Sequence, residues 1–232
     1  MATFEHPGAA LDGLPAARSV VAVCAHPDDE AFGLGAVLAA FVAAGARTTV
    51  VCLTRGEAST LGATADLDRV RAAELEAAAA ALGVGAVVLS DHPDGQLAVE
   101  PLEVLAAEVS AAAVAAGADL LLGFAPDGVT GHPDHARATE AALAAADRFG
   151  LPLLVWTLEA SVAAALNVEL ATGFSGTGDP DFRVPVDRGD QLRAIACHAS
   201  QATDNAVLRR RLELQGDVEV LCWLRRPGAG RR

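Results

Sequence analysis

Five short apolar runs, spaced by longer helical stretches, occupy residues 20 to 158. Val20-Val21-Ala22-Val23-Cys24, Arg47 to Leu53, Ala86 to Leu89, Asp119 to Gly123 and Leu153 to Leu158 read as strands, since runs of this length bounded by turn residues suit buried strands. Ala31 to Ala46, Asp66 to Leu82, Pro101 to Ala116 and a segment opening near Pro133 read as helices. Asp66 is placed as an N-cap, Gly45, Gly83 and Gly117 as helix ends, and Pro133 in a first turn, where each residue type is favoured. Strands joined through helices imply right-handed βαβ units. The chain is therefore predicted to be α/β, with a mostly parallel central sheet and helices on both faces.

Beyond Glu159 the pattern weakens. Thr172 to Pro180 reads as a Gly-rich loop, Asp187 to Leu214 as helical, and Val218 to Leu224 as a last strand. Residues 1–18 are expected to be a loose lead-in and 226–232 a frayed tail. No repeat or linker divides the chain, and 232 residues suffice for one well-buried core. A single domain over 1–232 is the expectation.

Charge and hydropathy narrow the classes of partner. A formal net charge of −13 argues against nucleic acid, because phosphate binding needs clustered Lys or Arg. The arginines at 209–211, 225–226 and 231–232 are read as solvated faces and a frayed tail. The longest apolar run, Ala31 to Ala46, holds three glycines and is shorter than the roughly 18 residues of a spanning helix. No basic segment followed by an apolar one marks a signal peptide. Cys24, Cys52, Cys197 and Cys222 form no CxxC pair and are expected as reduced thiols. A cytoplasmic protein is expected, with self-association left open.

Chemistry concentrates at two strand-to-helix boundaries. His26-Pro27-Asp28-Asp29-Glu30 follows the first strand, and Gly131-His132-Pro133-Asp134-His135 opens the helix near Pro133. Ligands of parallel α/β sheets bind outside the carboxyl ends of strands. His26 and Asp29 lie three residues apart on a tight turn, so both can face one point. A catalytic zinc site wants three protein ligands and an open position. The third can come from His135 or His132. One carboxylate with two imidazoles suits zinc, and ferrous iron also fits.

These residues resemble the N-acetylglucosaminyl-phosphatidylinositol de-N-acetylase superfamily, the LmbE-like deacetylases. Its HPDDE and HPDH motifs stand intact at 26–30 and 132–135. Thr54-Arg55-Gly56-Glu57 is similar to its T-x-G-E loop, Arg71-Ala72-Ala73-Glu74 to its R-x-x-E helix, Asp94-Gly95 to its D-G loop, and His198-Ala199-Ser200-Gln201 to its H-x-S-Q segment. The resemblance covers most of the chain. It implies a Rossmann-like three-layer fold, with His26, Asp29 and His135 as metal ligands, Asp28 as general base, and His132 as general acid or electrostatic catalyst. It places Arg71 and Asp94 where substrate oxygens bind. One departure is Thr130, where some members carry a Tyr that helps the oxyanion; the chain has no Tyr. No role follows from the residues alone for Glu57 or His198. Glu30 is read as supporting the helix start, His92 as an ordinary loop residue and His6 as incidental.

The leading expectation is a zinc-dependent (or Fe2+-dependent) hydrolase that removes an N-acetyl group from an N-acetylglucosamine-type small molecule. An amidase releasing a larger acyl group from a glucosamine-derived conjugate would use the same catalytic set. A non-catalytic metal-binding protein is a third reading. A nucleotide-binding Rossmann-like protein is a fourth, disfavoured because the first strand-to-helix turn carries carboxylates instead of Gly-x-Gly-x-x-Gly.

Overall fold

The computed structural model describes residues 11–228. His6, most of the expected lead-in and the tail from 229 onward lie outside the described residues. Among the described residues eight strands form one sheet: β1 (Leu11–Asp12), β2 (Ser19–Cys24), β3 (Arg47–Thr54), β4 (Ala86–His92, so that His92 ends a strand and is not a loop residue), β5 (Leu120–Phe124), β6 (Leu153–Thr157), β7 (Phe182–Pro185) and β8 (Val218–Arg225). Their order is β1-β7-β8-β6-β5-β2-β3-β4. Only β8 runs against its neighbours, pairing antiparallel with β6 and β7. The chain winds outward from β2 through β3 to β4, then returns to lay β5 on the other side of β2. That reversal opens a crevice at the carboxyl ends of β2 and β5, the place where open α/β sheets bind ligands.

Nine α-helices cover the sheet among the described residues: α1 (Asp29–Phe32), α2 (Gly35–Ala43), α3 (Leu67–Leu82), α4 (Leu102–Ala116), α5 (Pro133–Phe149), α6 (Ala160–Leu170), α7 (Gly189–Cys197), α8 (Ala199–Ala202) and α9 (Ala206–Gln215). The period of two along β2 divides its side chains between two cores. Val20, Ala22 and Cys24 pack with Leu38 and Phe41 of α2 and Leu75 of α3. Val21 and Val23 face the other way, onto Leu105 and Val109 of α4 and Ala142 of α5. This burial on both faces explains why β2 reads as a continuous apolar run. No helix among the described residues is long and apolar enough to cross a membrane.

Several local expectations need correction. The helix expected over 31–46 is interrupted at Gly33 and Leu34. A Cβ on Gly33 would lie 2.6 Å from Phe124, so the bare backbone admits that ring. The helical stretch expected over 187–214 is three helices. His198 breaks the first from the second with φ −87° and ψ 55°, and the Asn205 side chain caps the third by accepting from the Leu208 N–H at 2.9 Å. Helix α6 and strands β1 and β7 lie where the pattern was too weak to read. β1 falls inside the expected lead-in and pairs with β7. Arg211 and Arg225 are not on solvated faces; they are 4% and 8% exposed. Arg225 reaches Asp147 and the Leu151 carbonyl, and Arg211 lies one helical turn from buried Leu208 and turns inward with it.

Candidate metal centre and active site

The loop after β2 folds around one carboxylate. Asp29 Oδ2 accepts from the Ala25 and His26 N–H groups, both at 2.9 Å, which closes a tight turn and presents Oδ1 to the crevice. There Oδ1 lies 3.1 Å from His135 Nε2, in the first turn of α5. His26 Nδ1 lies 3.2 Å from the same nitrogen. The three side chains come from two loops on either side of the β2–β5 reversal, and all are buried.

Each imidazole is fixed from its far side. His135 Nδ1 donates to the Gly128 carbonyl at 3.2 Å, and Phe124 stacks on the ring at 5.3 Å. Gly128 has φ +73°, and a Cβ there would sit 2.6 Å from the His135 Cβ, so glycine is required. His26 Nε2 faces Asp94 Oδ1 at 3.0 Å and Asp134 Oδ2 at 3.4 Å. Asp134 is itself held by the Gly95 and Leu97 N–H groups at 2.8 and 3.1 Å. Asp94 accepts from the Ala58 N–H at 2.9 Å, and its own N–H donates to Glu57 Oε1 at 2.9 Å.

With the outer nitrogens committed, the inner lone pairs of His26 and His135 converge beside a carboxylate oxygen. Such a donor set is repulsive unless a cation lies between its members. Tetrahedral metal bonds of about 2.1 Å place ligand atoms about 3.4 Å apart. His135 Nε2 lies 3.1 Å from Asp29 Oδ1 and 3.2 Å from His26 Nδ1, and one ligand atom from each of the three residues lies within 4.8 Å of the others, so the set fits a divalent cation. A second grouping, His26, His132 and Asp134, also lies within metal-binding reach. It is the poorer candidate, because Asp134 spends its oxygens on backbone N–H groups.

With only protons available, the cluster still attracts positive charge. Burial by itself lowers the His26 pKa, but the hydrogen bonds to Asp134 and Asp94 outweigh it and lift the group to about 10. Burial would raise Asp29, yet His135 and His26 hold it well below the usual carboxylate range. Asparagine at Asp94 is therefore expected to weaken metal binding by about 10- to 100-fold, as lost outer partners of metal-bound histidines do. Chelator competition measures this, and an Asp94 that touched substrate alone would leave metal affinity unchanged.

Beside the donor set, Asp28 adopts φ 125° and ψ −24°, a region that costs a non-glycine residue about 1–3 kcal/mol. Three contacts hold it. Its N–H donates to Glu30 Oε2 at 3.0 Å, its carbonyl accepts from Ala31 and Phe32, and its carboxylate lies 3.1 Å from Arg71 Nη2. Arg71 also donates to the Gly56 carbonyl at 2.6 Å and to the Pro27 carbonyl. Gly56, at φ +68°, leaves room for that guanidinium where any Cβ would collide with it. Burial pushes Asp28 up and Arg71 pulls it back, leaving the carboxyl at about 6.

Glu30 stands in the first turn of α1, where its Oε2 accepts from the N–H of the N-cap residue Asp28, and its side chain turns inward. It is fully buried, and its Oε1 lies 2.5 Å from Nε2 of the equally buried His198. Burial lowers His198, but the bond to Glu30 more than reverses it. Glu74 accepts from the Ser200 N–H and hydroxyl at 2.8 and 2.6 Å, tying α3 to α8. In the sequence Glu30 stood as the last residue of the HPDDE motif, with nothing to indicate its partner.

His132 caps α5. Its Nδ1 accepts from the Asp134 N–H at 3.2 Å, so in the neutral ring Nε2 carries the proton. The ring lies edge-on to His26 at 4.8 Å, and burial together with the charges of His26 and His135 lowers its pKa. The Thr130 hydroxyl accepts from the His132 N–H at 3.3 Å and lies 3.2 Å from His135 Nδ1. His26, Asp28, Asp29, Thr130, His132 and His135 all open on a cavity of about 620 Å³. Its lining includes the polar residues Arg71, Asp94, Ser59 and Gln201 and the aromatic residues Phe32, Phe124, Trp156 and Phe174, with Phe124 and Trp156 in ring contact at 5.6 Å.

Residues 21–146 match the family model described as PIG-L, GlcNAc-PI de-N-acetylase. A Corynebacterium glutamicum protein named 1D-myo-inositol 2-acetamido-2-deoxy-alpha-D-glucopyranoside deacetylase is 37% identical over 170 residues, covering 60% of this chain and 55% of that protein. The chain thus spans about half the length of that relative. A Kineococcus radiotolerans protein of the same name is 30% identical, covering 88% of this chain and 75% of that one. The fold is shared with the zinc-inhibited form of teicoplanin deacetylase Orf2, at a TM-score of 0.67 and 19% identity over 91% of this chain and 100% of that one. It is also shared with the conserved protein TT1542 from Thermus thermophilus, at 0.68 and 23% identity over 91% and 96%.

Proposed function

Because the chain belongs to the GlcNAc-PI de-N-acetylase family, we propose that it is a metal-dependent hydrolase that removes an N-acetyl group from an N-acetylglucosamine-type substrate. The observation that carries this reading is the convergence of His26, Asp29 and His135 on one point, with Asp28 and His132 flanking it at the mouth of a cavity. Zinc is the proposed cation, with ferrous iron the alternative, since two imidazoles and a carboxylate suit either. The substrate named for the relatives makes a glucosaminyl-inositol one candidate acceptor. A cytoplasmic location fits the four free thiols.

A divalent cation held there supplies Lewis acidity and brings the pKa of a water towards about 7. Asp28 takes the proton of the attacking water. A carboxyl near 6 suits that task at neutral pH. Arg71 keeps the Asp28 carboxylate turned to the cavity. His132 presents Nε2 to the reacting carbonyl, because Nδ1 is occupied by the Asp134 N–H. From there its Nε2–H donates a hydrogen bond to the oxyanion, while the proton that Asp28 took from the water passes to the leaving nitrogen, so His132 stays neutral throughout. The C–N bond breaks, and acetate and a free amine leave.

Alanine at His132 is expected to lower kcat by about 10²- to 10³-fold with metal content unchanged. A variant that lost metal instead would make His132 a ligand. The reading as a whole is tested by measuring metal content and acetate release together on N-acetylglucosamine derivatives. Protein that takes up neither zinc nor iron would overturn it.

A further inference from the structure

The aromatic wall of the cavity ends at a buried positive charge. From His135 the ring contacts run to Phe124 at 5.3 Å, to Trp156 at 5.6 Å, and on to the Arg211 guanidinium, which lies 5.3 Å from the Trp156 ring centre. Arg211 is 4% exposed and lines the cavity. Its guanidinium donates to the Phe32 carbonyl and to Gln215 Oε1. Its remaining N–H groups have no acceptor among the described residues.

Among the described residues no carboxylate is hydrogen-bonded to it. The acid whose charge acts on it is Glu219, fully buried, whose oxygens accept from Arg188 at 2.6 Å, from the Trp156 indole N–H at 2.6 Å and from Gln215 at 3.1 Å. Two buried guanidiniums therefore share one buried carboxylate. One positive charge is left over on the side that faces the cavity. A buried charge without a counter-ion is costly, and burial accordingly pulls the Arg211 pKa down to about 10. Arginine forms strong charged hydrogen bonds to carboxylates and phosphates.

We infer that Arg211 is an anion-binding residue, and that the substrate joins its scissile amide, through an apolar segment lying along Phe124 and Trp156, to an anionic group. This inference rests on the hydrolase reading for the position of the amide, and it adds a requirement that reading lacks. The anionic group belongs either to the acyl part or to the part attached to the sugar, and the two sources share this chemistry.

The test measures binding by calorimetry to the metal-loaded protein. One arm uses N-acyl glucosamines with a terminal carboxylate on an aliphatic acyl chain. The other uses N-acetylglucosaminides with a carboxylate on an aromatic aglycone. Each compound is paired with its uncharged carboxamide. In one arm the carboxylate is expected to bind about tenfold tighter than its carboxamide. That ratio should fall to about one in Arg211→Met and persist in part in Arg211→Lys. A preference that survives in Arg211→Met belongs to the metal and overturns the inference, as do ratios near one, or no binding, in both arms. Hydrolysis of the amides with no charge preference would leave the hydrolase reading standing and sink only the role of Arg211. A charge preference that depends on Arg211, without hydrolysis of any member, would do the reverse.

Discussion

Replacing Asp28 by asparagine is expected to lower kcat about a thousandfold while the protein keeps its full complement of metal. Removal of a general base costs about 10²- to 10⁴-fold, and the amide cannot accept the proton that the carboxylate takes. The substitution leaves the rest of the site in place. The Asp28 N–H still reaches Glu30, and asparagine tolerates positive φ better than most side chains. Folding should not suffer, since a neutral amide relieves the burial that pushes the carboxyl up to about 6. Thermal unfolding should show a Tm equal to the native one or above it. Asp28→Asn protein with native turnover would remove Asp28 from the mechanism, and loss of metal would instead make it a ligand.

Alanine at Glu30 is expected to destabilise the fold by about 3–5 kcal/mol, the cost of breaking a buried charged pair from one side. Glu30 and His198 are both fully buried, and the His198 Nδ1 has no other partner among the described residues. The same change frees the Asp28 N–H, so the φ of 125° loses one of its supports and turnover falls as well. Urea unfolding measures the first effect, and a double-mutant cycle with His198→Ala isolates the pair. A coupling near zero in that cycle would mean that the two side chains do not depend on each other. Stability unchanged in Glu30→Ala would mean that the buried pair contributes nothing to the fold.

Much of the frame was legible along the chain because burial writes itself into local pattern. β2 and β5 are wholly buried strands, and uninterrupted apolar runs are how such strands read. Gly83 and Gly117 end α3 and α4 in the left-handed conformation, and Pro133 opens α5. The His26–Glu30 and His132–His135 clusters fall at strand exits beside the sheet's reversal, so the metal-binding candidates could be named before any contact was known. α6, β1 and β7 were not legible. β1 has two residues and β7 four, too few for periodicity to register.

The sequence by itself determined the α/β frame, the two strand exits that carry the chemistry, and the residue types gathered there. Only the tertiary structure decided what those residues touch. It turned Asp94 and Asp134 onto His26, Arg71 onto Asp28, and Glu30 onto His198, 168 residues away. It also took Arg211 from a run of three arginines and set it at the end of an aromatic wall, with no carboxylate among the described residues hydrogen-bonded to it. The reason is one of range. Helix and strand periodicity report which side of a segment is buried, through neighbours a few positions apart. The partner of a buried charge is chosen by whichever distant element the packed sheet brings against it, and local pattern carries no record of that choice.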